Sequence, residues 1–308
     1  MNISNNTLQY RPITSVFCAI LLLFTSCATK NTTQEEFNAD RAYLDVIKQV
    51  SLGPRTPGSV AHKNVIKWII EELEKAGWET EIQTSRVSDH EIKNIIGKWG
   101  SGKPWVIIGA HYDSRFLADH DPIEANRNQP VPGANDGASG VAVLLELARV
   151  LPDYMERIGD LDRVARANTI WLVFFDAEDN GNISGWNWIL GSSAFVQSLS
   201  QRPDTAIIID MIGDKDLRIF QEKNSDPSLS NEIWSAATIL GYSDYFIPQL
   251  KHKIIDDHIP FINAGIRAVD LIDFDYPYYH TTLDSPDKVS GQSLKIVGDT
   301  LIAWIMGK

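Results

Sequence analysis

The sequence predicts an α/β fold, a three-layer sandwich in which helices flank a central mixed, mainly parallel sheet. Four short, continuous apolar runs, typical of buried strands, alternate with segments whose apolar residues recur at helical spacing. Polar side chains follow the ends of these runs, which is where an open α/β sheet forms its ligand crevice. No linker-like change of composition divides residues 39–308, so we expect this range to be a single domain.

The first half of the domain is expected to contain two helices and three strands. The segment 53–59 holds two Pro and two Gly, which end the first helix in a loop. Apolar side chains between Ile66 and Leu73 repeat at helical spacing, and Gly77 closes that second helix. The predicted segments are helices at about 36–50 and 60–76 and strands at 78–86, 92–98 and 105–109.

The second half continues the alternation of strands and helices. Apolar residues between Val141 and Ala148 predict a helix at 139–151, and those between Leu294 and Trp304 predict the last helix. Three more apolar runs predict buried strands at 169–175, 205–209 and 268–272. Buried strands that alternate with helices in this way predict a mainly parallel sheet.

The N-terminus predicts an export signal, which does not belong to the fold. Arg11 precedes an apolar run of about a dozen residues, which is too short for a transmembrane helix. Small residues follow, and Phe-Thr-Ser-Cys27 is similar to the lipobox of bacterial lipoproteins. We therefore expect a lipoprotein signal peptide at 1–27, lipidation of Cys27 and a polar tether at 28–38. A plain secretory signal with an incidental cysteine is the alternative.

These features predict a protein of the bacterial cell envelope, lipid-anchored on the periplasmic or outer-membrane side and monomeric. Its contact with the membrane would be only through the lipidated Cys27. Cys18 and Cys27 are the only cysteines, so the rest of the chain has neither a disulfide nor a thiol that could bind metal. The formal net charge of −12 argues against nucleic acid as a partner, because phosphate binding needs clustered Lys and Arg.

Several side chains that can bind a metal come where predicted strands end. They are His111 after strand 105–109, Glu178 and Asp179 after 169–175, Asp210 after 205–209, His280 beyond 268–272, and Asp136 in a Gly-rich turn. If the strands are parallel, these groups gather at one edge of the sheet. His, Asp and Glu without Cys suit a catalytic zinc site. Taken singly, Asp136 could cap a helix and Asp210 could form a turn, but the coincidence at four strand ends favours a shared site.

Three further motifs carry a resemblance to a known family. Residues 111–116 read His-Tyr-Asp-Ser-Arg-Phe, residues 256–261 read Asp-Asp-His-Ile-Pro-Phe, and 53–59 contains Gly-Pro-Arg and Pro-Gly-Ser. Together with the ordered metal-binding residues above, they make the chain similar to the zinc aminopeptidases of family M28 over nearly its whole mature length. Within that family the chain resembles the glutaminyl cyclases of animal type.

The resemblance implies a role for each matching residue. One zinc would be bound by Asp136, Asp179 and His280, and Glu178 would be the acid and base. Asp210 would hold the substrate amine or steer Glu178, and Asp256 would join a buried acidic network. An aromatic wall would be supplied by Trp186 or Trp188. Two positions depart from the family pattern. Asp179 stands where Glu is commoner, and Tyr279, the third expected substrate contact, stands where animal cyclases have Trp.

The activity that the resemblance implies is that of a zinc-dependent glutaminyl-peptide cyclotransferase, an acyltransferase. Such an enzyme converts the N-terminal Gln of peptides and proteins to pyroglutamate and releases ammonia, with zinc polarising the γ-amide. The alternative is an M28 aminopeptidase, in which two zincs share Asp136 and the second is completed by His111 and Asp210. Cyclases keep those ligands too, so the preference for a cyclase depends on motifs 111–116 and 256–261. A binding protein on an inactive M28 fold would lack Glu178 or the ligands, and this chain has them.

Overall fold

The structure is a computed structural model that describes residues 1–2, 36–160 and 167–307, with the backbone alone for 157–160. It divides into two units, 1–33 and 34–308, and every helix and strand of the described ranges belongs to the second unit. Cys27 and most of the predicted signal and tether lie outside the described residues. Within the described ranges, no helix is both long enough and apolar enough to cross a bilayer.

The described residues alternate between helices and strands, and each helix and strand predicted from periodicity is present, although the helix predicted at 139–151 extends beyond its predicted end. The helices are α1 Ala39–Ser51, α2 Val60–Lys75, α3 Ala138–Asp160, α4 Leu190–Ser198, α5 Pro227–Ile239, α6 Ile259–Asn263 and α7 Gly291–Ile305. The strands are β1 Glu79–Val87, β2 His90–Gly100, β3 Trp105–His111, β4 Thr169–Phe175, β5 Thr205–Asp210, β6 Ile219–Gln221, β7 Phe246–Leu250 and β8 Arg267–Ile272. Helices α4, α5 and α6 and strands β6 and β7 had not been predicted.

Six of these strands form one sheet in the order β1-β2-β4-β3-β5-β8. The pairs β4–β3, β3–β5 and β5–β8 are parallel, and the pairs β1–β2 and β2–β4 are antiparallel. Strands β6 and β7 pair separately. The four parallel strands therefore end at the same edge, as an α/β fold with a mixed, mainly parallel sheet requires.

Helices cover both faces of the large sheet because its central strands are apolar on both sides. Val106 and Ile108 of β3 belong to a core shared with α1, α2, α3, α5 and α7. Ile107 belongs to a second core with Phe195 of α4 and Phe261 of α6. Burying each such large apolar side chain contributes about 1.5–3 kcal/mol. The prediction of a three-layer sandwich is confirmed.

The packed structure begins earlier than the expected boundary at residue 39. Asn38 caps α1 by accepting a hydrogen bond from the Arg41 backbone N–H at 2.9 Å. Phe37 is buried, and its ring lies so close to Gly298 of α7 that a Cβ there would come within 2.1 Å. Residues 37 and 38 therefore belong to the domain and not to a tether.

Helix α3 continues past residue 151, so the predicted end of this helix was wrong. Pro152 has no N–H, so the carbonyl of Ala148 lacks its usual helical donor. The indole Nε1 of Trp78 donates to that carbonyl at 2.7 Å. A side chain from the α2–β1 connection thus supplies the missing hydrogen bond where the helix runs through Pro152 to Asp160.

Candidate metal and catalytic site

The residues predicted to follow strand ends lie together at the carboxyl edge of the parallel strands. His111 ends β3, Asp210 ends β5, and Glu178 and Asp179 lie just beyond β4. His280 reaches the same place from the loop after β8, and all five are buried or nearly so. The topology thus brings together side chains that are up to 169 positions apart, 280 − 111.

Two clusters of possible metal ligands share Asp136. In the first, His111 Nε2 lies 3.1 Å from Asp136 Oδ1 and 3.1 Å from Asp210 Oδ1. In the second, His280 Nε2 lies 2.7 Å from Asp179 Oδ1 and 3.7 Å from Asp136 Oδ2. Asp136 can therefore contribute one oxygen to each cluster.

The donor set fits zinc. Asp136 Oδ2 and Asp179 Oδ2 are buried without a hydrogen-bond partner among the described residues, and leaving carboxylate oxygens buried in this way is costly unless a cation binds them. Imidazole nitrogen and carboxylate oxygen without thiolate are typical of catalytic zinc sites. In each cluster the three candidate ligand atoms lie within 4.8 Å of one another. Asp136, Asp179 and His280 would hold one ion, and His111, Asp136 and Asp210 could hold a second.

Burial and crowding by acids raise several pKa values at this site. Burial raises the pKa of Glu178 well above its usual value, and the charges of Asp256 and Asp179 add to the shift. Burial likewise raises the pKa of Asp179 to about 6 and that of Asp210 to about 7. For Asp136, burial is outweighed by the hydrogen bond and charge of His111, and its pKa is lowered. Glu178 can thus carry a proton at a higher pH than an ordinary glutamate.

Buried polar contacts fix the loops that carry these groups. Asp284 accepts from the backbone N–H of Asn135 at 2.8 Å and of Asp136 at 3.1 Å. Asp113 accepts from the backbone N–H of Glu178 at 3.0 Å. Arg55, from the 53–59 loop, donates to the carbonyls of Tyr112, Pro132 and Gly133. The segments that carry His111, Asp136 and Asp179 are therefore held by groups that are not themselves ligands.

The backbone is strained at one of the site's residues and beside two others. Ala177, Met211 and His280 adopt left-handed φ angles of 52°, 47° and 55°. Such conformations cost about 1–2 kcal/mol for residues with a Cβ. Ala177 precedes Glu178 and Met211 follows Asp210, so the strain lies where strands turn to present their side chains.

A cavity of about 290 Å³ opens above the ligand clusters. Its lining consists of Asp136, Glu178, Asp179, Trp188, Asp210, Lys253, Ile254, Ile255, Asp256, Ile272, Phe274 and Tyr279. A larger groove of about 870 Å³ lies around Asp214 and Lys288 and includes none of the ligand residues. The chemistry therefore points to the smaller cavity.

The structure distinguishes the two tryptophans that the sequence left as alternatives. Trp188 lines the cavity and lies parallel to the ring of His280, with centroids 6.0 Å apart. Trp186 is not among the cavity residues; it stacks on His90 with centroids 3.6 Å apart. Trp188, and not Trp186, is thus in position to contact a bound molecule. Tyr279 also lines the cavity and stacks on His280 at 3.5 Å.

Further buried acids lie behind the cavity. Asp256 lines it, while Asp257 and Asp270 are buried, and among the described residues their carboxylate oxygens have no hydrogen-bond partner. Burial, followed by the charge of Asp256, raises the pKa of both Asp257 and Asp270 well above the usual range. Asp270 had not been predicted, although a lone acid inside the apolar strand 268–272 was a visible signal. These carboxyl groups are expected to hold protons rather than charges.

Asp119 is a positioning residue for His280. The buried Arg115 donates hydrogen bonds of 2.8 and 2.7 Å to the Asp119 carboxylate. Asp119 Oδ1 lies 3.8 Å from His280 Nδ1. Arg115 also donates to the carbonyl of Asp179 at 2.7 Å. One charged pair therefore steadies two candidate ligands, Asp179 through its backbone and His280 through the charge near its second nitrogen.

Replacing Asp119 by Asn is expected to weaken zinc binding about tenfold, the low end for a residue behind a ligand, because the negative charge beside His280 is lost. The measurement is zinc affinity by competition with a chromophoric chelator. Asp89→Asn is the control, because Asp89 is exposed on the β1–β2 turn and its left-handed φ of 70° is tolerated by Asn. Equal zinc affinity of Asp119→Asn and the control would contradict the role.

Comparison with known proteins places this site in a family. The Peptidase family M28 model matches residues 94–305. Two similar solved structures are each 32% identical to this chain. One is a Zn-dependent exopeptidase from Parabacteroides distasonis, with a TM-score of 0.80; the match covers 90% of this chain and 100% of that chain. The other is the glutaminyl cyclase of Tannerella forsythia, with a TM-score of 0.78; the match covers 89% of this chain and 100% of that chain. Aminopeptidase YwaD of Bacillus subtilis is 31% identical over 217 residues, which are 65% of this chain but only 40% of YwaD.

These relatives are one cyclase and two peptidases, so they share a family with one another but not a reaction. The Zn-dependent relative and the donor set both suggest zinc as the metal. The family match covers more than half of the chain, including the Glu178-Asp179 pair and His280. This protein belongs to peptidase family M28.

Proposed function

We propose that this protein is a glutaminyl-peptide cyclotransferase that converts N-terminal Gln to pyroglutamate. The observation that carries the proposal is the position of Glu178 and Asp256 on the wall of one small cavity, above the shared ligand Asp136. Asp256 belongs to the 256–261 segment that resembles the cyclases, and its charge helps to raise the pKa of Glu178. A carboxyl group whose pKa is raised in this way is suited both to accept a proton from the attacking amine and to deliver one to the leaving ammonia.

The reaction forms one C–N bond and breaks another. The uncharged α-amine of the N-terminal Gln attacks its own δ-carbon, and the bond from that carbon to the amide nitrogen breaks. Glu178 accepts a proton from the attacking amine and delivers one to the departing ammonia. Asp210, close to His111 and open to the cavity, would hold the α-amine in place. A zinc bound by Asp136, Asp179 and His280 would supply Lewis acidity at the γ-amide carbonyl.

A di-zinc aminopeptidase is the second candidate, and one observation favours it. His111, Asp136 and Asp210 form a second ligand cluster that shares Asp136 with the first, an arrangement suited to two neighbouring ions. The similarity to YwaD and to a Zn-dependent exopeptidase is in keeping with it. The two candidates differ in what leaves the substrate, which makes them separable.

Mass spectrometry of a Gln-initiated peptide incubated with the zinc-loaded protein tests the proposal. Loss of one ammonia from the peptide is the expected result. Loss of the whole first residue, from this peptide or from a Leu-initiated peptide of otherwise equal sequence, would establish the aminopeptidase instead. If both peptides stayed intact, the proposed activity would be rejected and a binding protein favoured.

The two tryptophans give a matched test of the cavity. Trp188→Ala is expected to lower kcat/KM for a Gln-initiated peptide about 30-fold, because truncating a buried aromatic contact typically costs about 2 kcal/mol. Trp186→Ala, in the same loop but outside the cavity, is expected to change kcat/KM about threefold or less. Equal effects of the two variants would mean that the loop as a whole, and not Trp188, matters.

We also propose that the protein is exported and anchored by a lipid on Cys27, so that its substrates are the N-termini of exported peptides and proteins. The support is the signal-like sequence and lipobox of residues 1–27. Labelling of cells with radioactive palmitate is expected to mark the protein, and the Cys27→Ser variant is expected to remain unlabelled. An unlabelled wild-type protein found free in the medium would replace the anchor with a plain secretory signal.

A further inference from the structure

We propose that the mouth of the cavity selects the second residue of the substrate, favouring a large apolar side chain and disfavouring a basic one. The selecting residues are Lys253, Ile255 and Phe274, which we call the rim. This inference rests on the proposed cyclotransferase function and adds a specificity that neither the ligand clusters nor Glu178 provide.

The size of the cavity sets the position of the second residue. Pockets that enclose drug-sized ligands have volumes of about 300–1,000 Å³, and this cavity, at about 290 Å³, lies below that range. It therefore suits a single residue, whose amine and amide must both reach the acidic floor. The next residue of the peptide lies at the mouth, where it meets the exposed residues of the lining.

The rim offers an apolar surface at that mouth. Ile255 is 63% exposed and Phe274 is 37% exposed, although both line the cavity. Phe274 is held between Tyr279 and His252, with ring centroids 5.4 Å from each. Because the Phe274 ring is already packed on two neighbours, an incoming apolar side chain can cover it with little loss of side-chain entropy.

The same rim carries one positive charge, on Lys253, that lies nearer the mouth than the acids of the cavity. Lys253 is exposed, and within the described part of the chain neither an ion pair nor a hydrogen bond involves its Nζ. The other charged residues of the lining are acids on the floor and wall: Asp136, Glu178, Asp179, Asp210 and Asp256. The floor attracts the N-terminal amine, while Lys253 repels a second cation at the mouth. This repulsion weakens as salt rises.

The test uses a series of amidated tripeptides, Gln-X-Ala, in which X is Leu, Ser, Lys or Glu, and compares kcat/KM. For the wild type we expect Leu to exceed Ser about tenfold, as one apolar contact in a binding pocket commonly provides. Lys is expected to fall about threefold below Glu at low salt, and this difference is expected to shrink at high salt.

Variants assign each preference to its residue. Ile255→Ser and Phe274→Ser are expected to bring the Leu-to-Ser ratio close to one while turnover of Gln-Ser-Ala persists, and Lys253→Glu is expected to reverse the Lys-to-Glu order. Ile239→Ser is the control, because Ile239 is 68% exposed on α5 and does not line the cavity.

The two proposals fail in different ways. Equal turnover of the Leu and Ser peptides by the wild type, or a Leu-to-Ser ratio unchanged in both Ile255→Ser and Phe274→Ser, would overturn the apolar selection, and an unchanged Lys-to-Glu order in Lys253→Glu would overturn the charge selection. Either result would leave the cyclotransferase intact. Failure to cyclise any of the four peptides would overturn the proposed function, and the rim selection with it.

Discussion

Replacing Glu178 by Gln is expected to lower kcat about 10²–10⁴-fold, the range lost when a general acid and base is removed. Gln has nearly the same shape but cannot exchange a proton between the attacking amine and the leaving ammonia. KM and zinc content are expected to stay within about twofold of the wild type, because the metal ligands remain in place. Steady-state ammonia release and metal analysis on the same preparation measure both.

The stability of this variant is an internal control. Because the folded state raises the pKa of Glu178, its contribution to stability is present at low pH and is lost as pH rises through the folded pKa. Gln stays neutral and avoids that loss, so metal-free Glu178→Gln is expected to have a Tm at pH 8 equal to or above that of the metal-free wild type. Normal turnover by a correctly folded Glu178→Gln protein would falsify the assigned role.

Replacing Asp136 by Asn is expected to abolish turnover and to weaken zinc binding by more than about 100-fold, since even residues behind ligands account for 10–100-fold. Asp136 is the carboxylate common to both clusters, so its loss affects every arrangement of one or two ions. Zinc stoichiometry after dialysis, measured together with far-UV circular dichroism, separates loss of metal from loss of fold.

The matched variant is His111→Asn, which removes a ligand from one cluster only. For a one-zinc cyclotransferase, His111→Asn is expected to retain one zinc per chain, while Asp136→Asn retains little or none. A drop from two zincs to one in His111→Asn would instead identify the di-zinc enzyme. Full zinc content in Asp136→Asn would exclude the shared-ligand site altogether.

Periodicity predicted the elements that the core requires, and it failed where burial does not leave an apolar pattern. The run 169–175 was predicted to the residue because a strand buried on both faces is apolar at nearly every position. Helix α4 was missed because much of its buried surface is Gly191, Ser192 and Ala194, which carry no apolar periodicity. Strand β6 has three residues, too few for any pattern.

The site was predictable where it depends on topology and unpredictable where it depends on loop geometry. Parallel strands must end at one edge, so His111 and Asp210 could be expected to meet, and their side chains lie 3.1 Å apart. The choice between Trp186 and Trp188 depends on an irregular loop in which Asn182 has a φ of 63°. The spacing of residues in the sequence does not predict the course of such a loop. Asp284 has no strand before it and reads as a turn residue, although it accepts from the N–H of Asp136.

The sharing of Asp136 between two clusters has a consequence for the descent of these enzymes. Both clusters take their ligands from the carboxyl edge of one sheet, so the same strands and loops can present the ligands for one ion or for two. Evolution between peptide hydrolysis and cyclisation of an N-terminal Gln can therefore proceed by small changes around one cluster, while each intermediate protein still folds and binds metal. Divergence of chemistry on this scaffold needs no rebuilding of its architecture.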